Sequence, residues 1–230
     1  MRFLNSMMLF CGFAGFFGVD AHAGVVPPFT EDFNSSSSAW RDSAGTQDLS
    51  WINIGGPDGG AFSSTTFNFV NSAANARPVL FRGQDEFNSS AGAFVGDRVV
   101  GGVNEFSTFV YHDAPTALNY FVRFSGPANS PGSAKVFAIP VQPNTWTELN
   151  LALPDPGLIF EGPFTYEQVF SNIGHVQIGV SAQGVAGLNQ VIHFGLDKVS
   201  IVPEPATLVL LGGGVFMVMR RVSGRRGQNR

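Results

Sequence analysis

The clearest strand signal in this chain is the segment NYFVRFS at residues 119–125. Its side chains alternate in character, with Tyr120, Val122 and Phe124 on one side and Arg123 on the other. A period of two is the spacing of a β-strand, in which successive side chains point to opposite faces of the sheet. The segment therefore predicts a strand with one face directed at a core.

Similar segments occur on both sides of this strand, separated by turn residues. They lie at residues 49–54, 65–70, 79–82, 94–100, 105–112, 134–139, 146–153, 176–180 and 192–201. Gly101-Gly102 predicts a hairpin between two of them, and residues 165–171 predict one short helix. About ten short strands with hardly any helix predict an all-β, antiparallel β-sandwich, with a jelly roll as the first choice of topology.

Length and charge restrict the function of the segment 24–201. Its 178 residues are enough for one domain with a substantial core. The whole chain has a net charge of −4, but Arg2 and five C-terminal arginines supply six of its 13 basic residues. The segment itself has 7 basic and 15 acidic residues, and therefore a net charge of −8. This balance excludes a nucleic-acid partner and is compatible with polysaccharide or divalent cations.

The C-terminal tail, residues 202–230, contains three unlike elements in order. Val202-Pro203-Glu204-Pro205 comes first, and its prolines predict a stiff, extended spacer. An apolar run without charged residues follows at 206–219, and then five arginines in eleven residues, beginning with Arg220 and Arg221. The arginines predict an end held on the cytoplasmic side of a membrane. A buried C-terminal helix is the alternative, because 14 helical residues span only about 21 Å.

This tail resembles the sorting signal of the PEP-CTERM family of exported bacterial proteins. The resemblance implies that Val202, Pro203, Glu204 and Pro205 form a motif read by an exosortase, a membrane protease-transpeptidase. It also implies that 206–219 form one short transmembrane helix, a transient anchor in the inner membrane, and that Arg220 and Arg221 stop it. The protein would then reach the surface or the extracellular matrix of a Gram-negative bacterium that makes extracellular polysaccharide.

The amino terminus predicts export as well. Arg2 is followed by an apolar run at 7–19, and the small residues Ala21 and Ala23 mark a cleavage site. Residues 1–23 are therefore predicted to be a signal peptide. Cleavage would also remove Cys11, the only cysteine, so the exported domain is expected to fold without a disulfide.

Three weaker features resemble carbohydrate-binding-module or galactose-binding-like sandwiches. They are Glu31-Asp32 before Phe33, the segment 144–149, and the segment 194–199 that closes the domain. In such sandwiches a structural calcium can lie where the first and last strands meet. The resemblance implies Asp32 and Asp197 as calcium ligands, with Glu31 assisting. Exposed turn and strand-end charges are the alternative interpretation.

Aromatic residues are the candidates for stacking on sugar rings. Trp40 follows a serine run and precedes Arg41 and Asp42, which makes it the best exposed candidate for a glycan contact. Trp146 and Tyr120 lie in predicted strands with apolar neighbours, so both are expected in the core.

Catalytic signals are weak. Glu105 and Glu148 could act as a glycosidase pair only if the fold placed them about 5–10 Å apart. The histidines His112, His175 and His193 have no zinc spacing, and no Gly-x-Ser-x-Gly elbow occurs. The sequence thus predicts a non-enzymatic surface or matrix protein without a cofactor, unless calcium binds. The alternative is a module that binds exopolysaccharide; a glycoside hydrolase and an ice-binding protein are less favoured.

Overall fold

The computed structural model describes residues 28–203, except 71, 74–75, 184 and 186–187. Within them lie eleven strands and one short α-helix, α1 (Tyr166–Phe170). The strands are β1 (Phe29–Glu31), β2 (Ser50–Ile52), β3 (Phe62–Asn68), β4 (Val79–Gln84), β5 (Val103–His112), β6 (Asn119–Ser125), β7 (Gly132–Val136), β8 (Thr147–Ala152), β9 (Ile159–Phe160), β10 (His175–Ser181) and β11 (Val191–Pro203).

The strands form two antiparallel sheets that pack as a sandwich. The first sheet has the order β2-β3-β11-β5-β8, and β1 also pairs with β11. The second sheet has the order β4-β10-β6-β7-β9. The predicted antiparallel β-sandwich is therefore confirmed.

The core lies between the inner faces of the two sheets. In β6, the bounds match the sequence prediction, and Tyr120, Val122 and Phe124 are buried in the core as the alternation indicates. Phe124 packs edge-on against Phe106 of β5, with ring centroids 5.3 Å apart. Burying an apolar side chain of this size stabilises the fold by about 2–3 kcal/mol.

The two ends of the domain meet on β11. Strand β3 pairs with residues 191–196 of β11, and β1 pairs with residues 199–201. Between these two partners the pairing of β11 with β5 shifts register, and Lys198 has a positive φ of 48°. Such a bulge redirects neighbouring side chains, and it places Asp197 where one partner strand of β11 replaces the other.

The predicted strand at 94–100 and the hairpin at Gly101-Gly102 are wrong. The segment before β5 instead turns repeatedly, with Gly96 at φ 100°. The buried Arg98 guanidinium donates to the carbonyls of Ala93 and Val95, so side-chain bonds satisfy carbonyls that a strand would pair. The predicted helix is confirmed, and Thr165 and Gln168 form a capping box at its start.

Strand β11 continues past residue 201, where the sequence placed the end of the domain. Val202 pairs with Glu105 and Pro203 pairs with Val103, so the first two residues of the Val-Pro-Glu-Pro motif lie in the sheet. Glu204, Pro205, the apolar run, Arg220 and Arg221 lie outside the described residues, as do the signal peptide and its Ala21 and Ala23. In the part that is described, no helix has the length and apolar character needed to cross a bilayer.

Candidate functional site

A row of long polar side chains crosses the outer face of the second sheet. Arg82 of β4 is opposite Gln177 of β10, which is opposite Arg123 of β6. Arg41 is opposite Arg82 through an isolated bridge. Residues directly opposite in an antiparallel pair project from the same face. We call Arg41, Arg82, Gln177 and Arg123 the arginine row.

Arg123 is the most extensively bonded member of this row. Its guanidinium forms a bidentate pair with Glu161, with Nε–Oε1 at 2.5 Å and Nη2–Oε2 at 2.6 Å. Nη1 also donates to Gln177 Oε1 at 3.0 Å and to Asn129 Oδ1 at 2.6 Å. The pair with Arg123 lowers the pKa of the Glu161 carboxyl. Together the bonds hold the donors and acceptors of this face in place.

A second polar row lies beside the first. Gln84, His175 and Ser125 are opposite one another on β4, β10 and β6, and all three are buried although they project from the outer face. His175 Nε2 lies 3.0 Å from Glu86 Oε1, at an angle that does not suit a hydrogen bond. Burial lowers the pKa of His175. The charges of nearby Arg123 and Arg82 lower it as well, whereas Glu86 raises it. Other side chains thus cover these polar groups, although they project from the outer face.

The other side of the arginine row is apolar. Val79, Gly179, Phe121 and Val136 are opposite one another across the second sheet. Phe121 lies against Gly179, where a Cβ would be 2.5 Å from the ring. The face therefore places an apolar strip beside fixed donors and acceptors, which is the combination that a pyranose ring with its C–H face and hydroxyl rim requires.

Trp40 does not lie on this face. The prediction that it is an exposed glycan contact is wrong, because its side chain is 0% exposed in the core. Its Nε1 donates to Ser90 Oγ at 2.8 Å, and its ring lies on Gly83, where a Cβ would come within 2.9 Å. The exposed tryptophan is Trp51 of the edge strand β2, at 42%.

The outer face of the first sheet is aromatic. Trp146 lies across β11 at Gly195, where a Cβ would be 2.7 Å from the ring, and its Nε1 donates to Gly55 O at 2.8 Å. Its ring contacts those of Phe62 and Tyr111, with centroids 5.2 and 5.5 Å away. We call Trp146, Phe62 and Tyr111 the tryptophan cluster. The expectation that Trp146 belongs to the core is wrong, because the core lies on the opposite face; Tyr120 is buried there as expected.

Asp197 is buried on the outer side of the first sheet, at 1% exposure. A Cβ built on Gly56 would lie 3.0 Å from Asp197 Oδ2, 3.0 Å from Ala61 O and 3.2 Å from Gly60 O. The loop that contains Gly56 thus packs closely on the Asp197 carboxylate, with the carbonyls of Gly60 and Ala61 nearby. Burial raises the pKa of Asp197 to about 7, and the carboxylates of Asp58 and Asp32 add to the rise.

Glu31 and Asp32 do not join Asp197 in one cluster of carboxylates. Glu31 Oε1 accepts a hydrogen bond from Phe33 N, and Asp32 accepts from Asn34 N, so both stabilise the loop after β1. Across the described residues, no group of three or more His, Cys, Asp or Glu side chains is placed to hold a metal ion. Any cation at Asp197 would therefore depend on backbone carbonyls.

Glu105 and Glu148 both project from the outer face of the first sheet. Glu148 is opposite Phe109, which lies four residues from Glu105 along β5. Four residues of strand span about 14 Å, which exceeds the separation that either glycosidase geometry uses. His112 is a core residue, whose Nε2 lies 3.0 Å from Val141 O while Nδ1 accepts from Ala114 N.

Sequence patterns gave only part of the arginine row. The alternation in β6 placed Arg123 on the face away from the core, but nothing local indicated that Arg82 and Gln177 would be its neighbours. Their proximity depends on the pairing register of three strands that are distant in sequence.

No protein-family model matches the chain, and no curated protein matches it. Solved structures with a similar fold include carbohydrate-binding-module domains. The family 11 carbohydrate-binding module of Clostridium thermocellum, in complex with a β-1,3-1,4-mixed-linked tetrasaccharide, is 10% identical, with a TM-score of 0.45, over 78% of this chain and 98% of that one. The L4b domain of human laminin α-2 is also 10% identical, with a TM-score of 0.44, over 78% and 99%.

Longer proteins match over one part only. A Clostridium thermocellum endo-1,4-β-D-xylanase 10B structure, with CBM22-1 and GH10 modules and xylohexaose, is 15% identical with a TM-score of 0.47. The match covers 77% of this chain and 28% of that one. An arabinose-bound α-L-arabinofuranosidase is 16% identical with a TM-score of 0.47, over 79% and 27%. The chain thus spans less than a third of the length of either protein.

Proposed function

We propose that this β-sandwich is a non-catalytic glycan-binding module, and that the outer face of its second sheet is the binding surface. The observation that carries the proposal is the arginine row with its flanking polar and apolar rows. Gln177 in the middle of the row is 3% exposed, although it projects away from the core. Gln177 is covered by its neighbours and holds the half-buried Arg123 guanidinium in place, so little ordering cost remains when a sugar hydroxyl binds beside it.

The chemistry of the arginine row and the polar row beside it fits a sugar better than an apolar ligand. Amide, imidazole and guanidinium groups supply both donors and acceptors, as a sugar hydroxyl requires. An apolar ligand would remove from water those donors that have no partner within the chain, such as the terminal nitrogens of Arg82, at a cost of about 1–3 kcal/mol for each. Val79 and Val136 are half-buried on this face and supply apolar contacts for a C–H face, with the buried Phe121 between them in the sheet.

Affinity electrophoresis of the full-length chain through gels that contain single polysaccharides tests the proposal. We expect retardation by at least one polysaccharide, and at least a tenfold weaker affinity in the double variant Gln84→Ala/Gln177→Ala. The matched control is Glu148→Ala/Asn150→Ala, which alters exposed polar residues on the outer face of the first sheet. Equal loss in both variants, or no retardation by a broad set of neutral and acidic polysaccharides, would overturn the proposal.

We further propose a structural calcium ion at Asp197. The proposal is supported by the buried Asp197 carboxylate, at 1% exposure, and by the carbonyls of Gly60 and Ala61 near it, since calcium prefers carboxylate and carbonyl oxygens. Asp197 Oδ2 and the carbonyls of Gly60 and Ala61 would hold the ion. A bound cation would supply the charge compensation that the buried carboxylate lacks and would fix the glycine-rich loop 55–60 against β11.

Isothermal titration calorimetry with calcium and thermal unfolding with and without EDTA test this ion. We expect a calcium-dependent rise in melting temperature that is lost in Asp197→Asn. Asp32→Asn should retain the effect. No heat and no change in melting temperature would remove the proposal.

We also propose that the module works outside the cytosol, exported by residues 1–23 and sorted by an exosortase through Val202 to Pro205 after transient anchoring in the inner membrane. The support is the order of sequence elements at the two termini. Mass spectrometry of the protein recovered from envelope and medium tests this, with an expected amino terminus at Gly24 and loss of the arginine-rich end. Recovery from soluble cell contents with both termini present would exclude it.

A further inference from the structure

Arg82 differs from the two other arginines of its row in having no carboxylate partner. Arg41 Nε lies 3.0 Å from Asp48 Oδ1, and Arg123 is paired with Glu161. Arg82 Nε donates to Ser43 O at 2.9 Å, and no carboxylate of the described residues lies within ion-pair distance of its guanidinium. Its two terminal nitrogens make no hydrogen bond within that part of the chain.

The surroundings of Arg82 make this arrangement costly. The side chain is half-buried, directly opposite Arg41, and separated from Arg123 only by Gln177. Like charges opposite one another destabilise an antiparallel pair. Burial lowers the pKa of Arg82, and Arg123 contributes in the same direction, while Asp42 and Glu86 oppose it only from beyond ion-pair distance. A half-buried cation without a paired anion is a feature that binding sites retain and that stability alone disfavours.

We propose that Arg82 receives the carboxylate of an acidic sugar, so that the ligand of this face is a glycan that contains uronate residues. This inference rests on the proposed glycan-binding function. A planar guanidinium matches a carboxylate in a bidentate geometry, and the two free nitrogens of Arg82 supply two donors. The ligand carboxylate would give Arg82 an anionic partner, as Asp48 is for Arg41 and Glu161 is for Arg123.

The contact is local rather than a general attraction of polyanions. The segment 24–201 has a net charge of −8, which repels a polyanion at long range. Recognition must then come from one short-range pair at the half-buried Arg82, where screening by salt is weaker than at an exposed site.

Polygalacturonate and its fully methyl-esterified form are suitable probes, because esterification removes the carboxylate charge and leaves the backbone unchanged. Affinity electrophoresis of the full-length chain should show at least tenfold stronger retardation by polygalacturonate. Arg82→Gln should abolish that preference, and Arg82→Lys should weaken it, since a lysine keeps the charge but loses the two parallel donors. Arg77→Gln, which removes one positive charge outside the row, should behave like the parent chain.

The outcomes separate this inference from the function on which it rests. Equal retardation by the two forms, or retardation by a neutral polysaccharide alone, would overturn the assignment of Arg82 and leave glycan binding intact. Preference for dextran sulfate over polygalacturonate would overturn the carboxylate as the recognised group. No retardation by any polysaccharide would overturn both. Melting temperatures of both Arg82 variants within a few degrees of the parent would show that a change in binding is not a loss of fold.

Discussion

The outer faces of the two sheets use glycine for opposite purposes. On the first sheet, Gly195 lets the Trp146 ring lie flat on β11 and cover the strand. On the second sheet, Gly132 leaves room for the Arg123–Glu161 pair, because a Cβ there would be 2.8 Å from Arg123 Nη2. One face is thereby covered by aromatic rings, whereas the other displays charged groups that are held in place by hydrogen bonds.

This difference separates a structural face from a binding face. The groups of the tryptophan cluster have their partners within the chain, because its rings contact one another and its indole N–H donates to a carbonyl. In the arginine row, by contrast, Arg82 has donors without partners among the described groups. A half-buried guanidinium without a paired anion is available to an anionic group of a ligand. The predictions below test each face in turn.

The largest effect is expected at Asp197, beneath the first face. Its pKa is about 7 in the folded chain against an ordinary 3.8, so the folded state holds an extra proton between these values. Without calcium, stability should fall by about 2–4 kcal/mol as pH rises through this window and then level off. Asp197→Asn should flatten the profile, as urea unfolding at pH 5 and pH 8 with EDTA would measure. A parent chain with equal stability at both pH values would contradict this.

The next effect is expected at Arg123, on the second face. Arg123→Ala leaves Gln177 and the carboxylate of Glu161 without their partner, and we expect a loss of about 2 kcal/mol, less than for a fully buried pair because Glu161 is partly exposed. Polysaccharide retardation should disappear as well. Denaturant unfolding combined with affinity electrophoresis measures both quantities. Arg123→Lys, which keeps one ion pair, should recover part of the stability but little of the retardation.

A smaller loss is expected from Gly195→Ala, which forces Trp146 away from β11. Overpacking of this kind costs about 1–2 kcal/mol, and the tryptophan fluorescence should change because one indole gains contact with water. Glycan binding should remain unchanged, because the substitution is on the other sheet. Ser64→Ala, at the residue opposite Gly195 in β3, is the control and should alter stability little. Loss of glycan binding in Gly195→Ala would show that the two faces are not independent.

The smallest effect is expected at Trp51, the exposed tryptophan. Trp51→Ala removes a hydrogen bond of 2.7 Å to Phe33 O at the edge of the first sheet and should cost about 1 kcal/mol. Retardation by polysaccharide should be unchanged, as affinity electrophoresis of this variant would show. A marked loss of retardation would instead place a sugar contact on the edge strand β2.

Local patterns predicted most strands because alternation is a property of neighbours in sequence. The bounds of β6 match the structure, and β5, β10 and β11 were found with ends displaced by a few residues. Two short strands, β1 and β9, have too few residues for a detectable period. The segment 94–100 contains phenylalanine and valines typical of a strand but does not alternate, and the carbonyl bonds of Arg98 and the positive φ at Gly96 favour turns.

The sequence also predicted that the first and last strands would meet, and β1 pairs with β11. It placed Asp197 near that seam but not the carbonyls of Gly60 and Ala61 beside it. Trp40 was misassigned because polar neighbours in sequence indicate exposure only when the backbone is regular. Here Ala39 has a positive φ of 57°, and Trp40 lies in the core between Phe33 and Phe94.

By itself, the sequence determined the fold class, the acidic charge of the segment 24–201 and the face of β6 on which Arg123 lies. Each of these follows from residue types or from a period of two along one strand. Only the tertiary structure decided that Arg41, Arg82, Gln177 and Arg123 form one row. It also decided that Arg82, alone among the three arginines, has no carboxylate partner in the described part of the chain. The reason is that cross-strand neighbours are set by register and by core packing between segments far apart in the chain, which no local pattern records.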